Sequence, residues 1–164
     1  MDALALLRSQ AATADGIMTQ VAANITAERA AWTLPGSTTN PIAAIFLHVY
    51  TVEDRSVHRS LGQPPVLESG GWRERLGYDP AAPWSPELRP DPDTCRAYAA
   101  EVRAATVRYL DELDPAELER EVDSPFGRRP QADLLTLFLV IHKTTHMGEI
   151  AALLGCQGVK GFPF

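Results

Sequence analysis

The strongest constraint on this chain is a segment near its C-terminal end. Residues 131–154 are apolar at helical spacing, and within them 142–149 read His-Lys-Thr-Thr-His-Met-Gly-Glu. On a helix turning about 100° per residue, His146 stands about 40° round from His142 and one turn along the axis. Glu149 returns to within about 20° of His142. Leu135, Phe138 and Leu153 share the stripe, which makes it core-facing. Two imidazoles one turn apart on a buried face can share a metal ion. Two core histidines bonded to backbone carbonyls are the alternative, since a closed structural metal site needs four ligands. Each buried unsatisfied polar group costs about 1–3 kcal/mol, and a domain's net stability is only about 5–15 kcal/mol. A cation at the centre would use one nitrogen from each ring.

Three further helices are predicted. The first spans 2–25, with Asp2 as cap and Leu4, Leu7, Ala11, Ile17, Val21 and Ile25 at helical spacing. A short turn under Thr26 reaches Trp32. The second opens with Asn40 as N-cap and Pro41 at the first helical position, and carries Ile42, Ile45, Val49 and Val52 on one stripe. The third covers 93–113, with Tyr98, Val102, Ala105, Tyr109 and Leu113 inward, and the last ends at Gly155. No repeat or strand alternation interrupts this pattern. The prediction is all-α: a four-helix bundle, one domain over 1–164, with a long irregular connection between helices two and three.

That connection, 62–92, holds Trp72, Tyr78 and Trp84. It is read as a lid or pocket wall, or else as a loop covering the bundle end. The glycine-rich tail, 155–164, carries Phe162 and Phe164 and is expected to dock on the bundle.

Composition removes several function classes. A net charge of -6 and no basic run longer than Arg128-Arg129 argue against nucleic-acid binding. No stretch approaches the roughly 20 apolar residues that cross a bilayer. The start, Met1-Asp2, lacks the pattern of a signal peptide, and Cys95 and Cys156 form no CxxC. A reduced, cytoplasmic protein is expected.

His48 is the other histidine on the core side of a long helix, so a bundle would bring it to His142 and His146. Three histidines with a vacant position suit a catalytic ion rather than a structural one. Glu149 would orient a ligand ring or handle a proton, unless it pairs with Arg55 or another arginine. Arg55, seven residues past His48 and about 10 Å along the axis, stands where a carboxylate could be held. Trp72 is placed near the mouth of the site, and His58 is read as an exposed imidazole. Lys143 follows His142 where H-E-x-x-H needs Glu, and no inward Glu-x-x-His pairs, G-x-S-x-G or phosphate loop occurs.

These residues resemble the DinB-like superfamily. Asn40-Pro41-Ile42 with His48 and Glu53-Asp54 is similar to its second helix. The His-x-x-x-His-x-Gly-Glu run and the tail to Phe164 are similar to its last helix, and Gly-Gly-Trp-Arg-Glu-Arg-Leu-Gly at 70–77 resembles the inter-helix segment of one branch. The resemblance implies a four-helix bundle holding zinc, nickel or a similar divalent ion on His48, His142 and His146. It also implies a homodimer acting on a small-molecule substrate. Relatives include transferases or isomerases that use mycothiol, bacillithiol or glutathione, and metal-dependent hydrolases. A thiol S-transferase is the expectation; the alternatives are a metal-dependent hydrolase or a non-catalytic bundle that binds a metal or small ligand.

Overall fold

A computed structural model of the chain describes residues 2–81, 88–124 and 126–164. Helix α1 (Ala3–Ala22) starts where the Asp2 carboxylate accepts the Ala5 N–H at 2.7 Å. The short α2 (Ala27–Ala31) follows under Thr26, and α3 spans Ile42–Leu61. A 3₁₀ turn at Val66–Glu68 and the five-residue α4 (Trp72–Leu76) occupy the connection to α5 (Pro92–Glu112). Asp91 caps α5, accepting the Thr94 N–H at 2.8 Å, and Pro92 takes the first position, where no N–H is needed. After a 3₁₀ turn at Pro115–Glu119, two-residue strands β1 (Glu121–Val122) and β2 (Arg129–Pro130) pair antiparallel. Helix α6 (Gln131–Thr136) then continues through a π-helical stretch, Leu137–Ile141, into α7 (His142–Cys156).

Among the described residues, the long runs α1, α3, α5 and α6–α7 form an all-α bundle. Helix α3 packs on α5 and α7, and α1 packs on the same two, so α1 and α3 are diagonal and α3 faces α7. The apolar interior falls into two blocks. One holds Met18, Ile45, Tyr50, Tyr98, Ile150 and Leu154, and the other Leu4, Leu7, Val57, Tyr109, Leu135 and Leu139. A polar layer divides them, one residue per helix: Asp15, Glu53, Thr106 and Lys143. Lys143 and Glu53 are completely buried. The Lys143 ammonium bonds Asp15 at 2.5 Å and Glu53 at 2.6 Å, and the Thr106 hydroxyl donates to Glu53 at 2.7 Å. Burial pushes the Glu53 carboxyl upward, and the Lys143 charge opposes that shift.

Several expectations are corrected. Helix α1 stops at Ala22, because the Asn24 and Ile25 N–H groups reach carbonyls three residues back and tighten the turn. Helix α3 starts at Ile42 rather than Pro41, with the Pro41 carbonyl accepting its first bond from Ile45. The last helix passes Gly155 to Cys156. Its closing bonds run from Gly158 to Gly155 and from Val159 to Leu154, with Gly158 at φ 76°. His58 is buried, not exposed, its Nε2 lying 3.5 Å from the buried Asp54 carboxylate.

The 62–92 connection is also less irregular than its glycines and prolines suggest. Both oxygens of Asp54 are used, accepting the Val66 and Leu67 N–H groups at 2.8 and 2.9 Å, and Tyr98 donates its hydroxyl at 2.7 Å. Val66, Leu67, Trp72, Leu76 and Tyr78 are thereby packed into the core. Trp84 lies outside the described residues. At the other end, the tail folds back over α7 and packs Val159 and Phe162 on the core, while Phe164 stays exposed. Among the described residues no helix is long and apolar enough to cross a membrane.

Candidate metal centre

Helix α3 presents His48 to α7 because Ile45 and Val49 on either side are buried, and this fixes the helix's rotation. On α7, Lys143 is buried between His142 and His146, and Met147 and Ile150 are buried just past them, which sets this helix's rotation. Just before His142, the π stretch closes with the His142 N–H on the Leu137 carbonyl, five residues back. This wider turn lets the apolar pattern of α6 run on while Phe138 turns against His142, with ring centroids 6.5 Å apart.

The three imidazoles meet. Ring centroids are 4.9 Å apart for His48 and His142, 5.0 Å for His48 and His146, and 4.6 Å for His142 and His146. One nitrogen from each lies within 4.8 Å of the other two, and the Nε2 atoms of His48 and His142 are 3.0 Å apart. Nitrogens at about 2.0–2.1 Å from a tetrahedral zinc stand roughly 3.4 Å from one another, so small ring rotations would fit this set to such an ion. Burial is the main cause holding His48 down to about 3, helped by the charges of His142, His146 and Arg55. His142 is held at about 4, again first by burial, then by His146 and Lys143. Both rings are therefore neutral at ordinary pH, the state in which imidazole binds a metal.

Glu149 lies against one of the rings. Its Oε2 lies 2.9 Å from His146 Nδ1, and among the described residues it forms no ion pair with an arginine. A carboxylate only accepts, so Nδ1 carries the proton and the Nε2 lone pair is left for a ligand. The Nδ1 of His142 is buried with no hydrogen-bond partner among the described residues.

Beyond the triad, the seam between α3 and α6 opens into a cleft of about 350 Å³. Val52 and Arg55 line it from α3, one and two turns past His48, and Leu134, Phe138 and Leu139 line it from the facing run. Arg120 and Asp123 also line it. Arg55 lines this cleft, whose lining includes none of the three histidines, while its guanidinium donates to the Tyr78 hydroxyl at 3.4 Å. Trp72 does not line the cleft. It is buried on α5, its ring 5.4 Å from Tyr98 and its indole N–H donating to Glu101 at 2.8 Å. Apolar surface and a satisfied N–H draw it inward, and the cleft wall comes from the segment leading to α6 instead. Sequence reading missed that wall, because the partner of α3 on this side is set by the bundle's diagonal arrangement, which periodicity does not encode. The two thiols lie apart from the triad in sequence: Cys95 is buried, its thiol pushed up to about 12, and Cys156 is exposed at the end of α7.

A family model described as the DinB superfamily matches residues 10–150. The crystal structure of a conserved protein from Enterococcus faecalis is similar in fold, with a TM-score of 0.76 and 18% identity. The similarity covers 94% of this chain and 99% of that one, and at such identity it speaks to fold alone. No curated protein matches the chain.

Proposed function

The chain belongs to the DinB superfamily, and from that premise we propose that it is a divalent-metal-dependent enzyme with His48, His142 and His146 as ligands. The observation that carries this reading is the convergence of three imidazole nitrogens within 4.8 Å of one another. Zinc or nickel suits an all-imidazole donor set. A bound ion would supply Lewis acidity and acidify a thiol or water in its open position.

The more specific proposal is S-transfer from a low-molecular-weight thiol: mycothiol, bacillithiol or glutathione. Three neutral ligands leave a dication uncancelled, which favours an anionic fourth ligand such as a thiolate. Arg55, beside the cleft and sensed electrostatically by His48, is placed to hold a carboxylate of the cosubstrate or substrate. The apolar wall formed by Leu134, Phe138 and Leu139 would keep water from the reacting groups. Glu149 keeps His146 in the ligating tautomer. The same carboxylate, about a third exposed, favours a second reading, hydrolysis, in which it would take a proton from water.

The test has two stages. Metal content is measured in the purified protein and in a variant with all three histidines changed to Ala; equal occupancy rejects the ligand assignment. The loaded protein is then offered each thiol with an epoxide or a chloro-aromatic, with and without chelator. Turnover that needs both thiol and metal supports transfer. Metal-dependent ester or amide cleavage without thiol moves the assignment to a hydrolase.

A further inference from the structure

We propose that the cleft beside the triad selects an amphipathic monocarboxylate. Its apolar ring or short chain would lie on Val52, Leu134, Phe138 and Leu139, with its carboxylate on Arg55. The inference deepens the metal-enzyme reading and rests on it only for what happens to the ligand's other end.

The volume, about 350 Å³, lies at the lower end of the range for small-molecule sites, so the ligand is small. The walls nearest the triad are aliphatic and aromatic, which favours an apolar body over a sugar or a peptide. Charge selects the head group. Two arginines border the cleft, and they are not equivalent. Arg120 is already neutralised by Glu117 at 2.6 Å and also donates to Gln131 at 2.5 Å. Among the described residues, the partner of Arg55 is a neutral hydroxyl at 3.4 Å, a distance that makes a weak bond. Asp123, which also lines the cleft, forms no ion pair with either arginine among the described residues. Arg55, on the α3 wall with Val52, is therefore the cation that a carboxylate lying on this apolar surface would meet. A neutral ligand leaves Arg55 without a counter-ion, and among the described residues lining the cleft a dianion finds no second free cation. Arg55 stands two turns past His48 on the same helix, so its ligand lies along the seam that also carries the triad.

Titration calorimetry with 3-phenylpropanoate and hexanoate, and with the primary amide of each, tests the proposal. The carboxylates are expected to bind at least tenfold tighter than their amides. Arg55→Gln should erase that preference while leaving the amides' affinity unchanged. Arg55 is exposed, so this variant should fold normally, and circular dichroism checks that it does. Phe138→Ala should weaken acid and amide alike. Every titration is repeated on chelator-stripped protein. Carboxylate preference that survives stripping supports the cleft whatever becomes of the metal assignment. Preference that vanishes on stripping yet persists in Arg55→Gln would mean that the carboxylate ligates the ion, and would overturn the proposal. Equal affinity for acid and amide would overturn it too, with the metal assignment untouched.

Discussion

At Lys143 a fully buried ammonium meets Asp15 and Glu53, and the side chain has no route to water. Removing one member of such a cluster strands the others. Lys143→Met is therefore expected to destabilise the protein by about 3–5 kcal/mol in urea unfolding. Adding Glu53→Gln to it should recover part of the loss; a single variant as stable as the wild type would refute the pairing. One residue earlier, His142 sets a pH dependence together with His48. Their folded rings are held at about 4 and about 3, whereas an unfolded histidine titrates near 6.5. The unfolded state therefore takes up protons first as the solution is acidified. Stability from the neutral rings is complete above about pH 6.5 and is lost as pH falls from there toward 3–4. Urea midpoints of the metal-free protein at pH 7, 6 and 5 should fall with acid, and less steeply in a His48→Gln, His142→Gln double variant. Identical slopes would count against it. The histidines were legible in the sequence because identity, spacing and an apolar stripe coincide. Lys143 and Glu53 were not: a charged residue between two core stripes looks like any surface charge until the facing helix is known.

At the scale of elements, all four long helices could be read from caps and periodicity, with the expected ends at most three residues off. Helix ends depend on single local bonds, such as the Pro41 carbonyl taking the Ile45 N–H. The π stretch had no sequence signal, since Leu137–Ile141 is apolar in any register. The connection 62–81 was illegible for another reason: what orders it is Asp54, a distant carboxylate satisfying two of its N–H groups. The tail offers a sharper test of element packing. A Cβ built on Gly161 would stand 2.3 Å from the Ala151 carbonyl oxygen and 2.6 Å from its Cα, both backbone atoms that cannot step aside. Gly161→Ala is expected to lift the tail and cost about 1–3 kcal/mol, the usual penalty for overpacking. Amide exchange at 159–162 should quicken with it. Unchanged protection there would mean that the tail does not lie against α7.

For the molecule as a whole, bundle class followed from four amphipathic runs, while the division of its core by a polar layer did not. Homodimerisation, expected from the family resemblance, is checked by sedimentation at micromolar protein, where twice the 17.9 kDa chain mass is expected and a monomer would reject it. The placing of the histidines has a consequence for folding kinetics. His48 and His142 are 94 residues apart in the chain, and their rings touch only when α3 lies against α7. Contacts of that separation carry a large closure cost and form late. An ion held between them would strengthen the native state and leave the folding transition state nearly unaided. Zinc should then slow unfolding and leave refolding almost unchanged, a shift confined to one arm of the chevron plot. Refolding that speeds up as much as unfolding slows would show that the histidines meet before the bundle closes, with the ion acting as a nucleus instead of a lock.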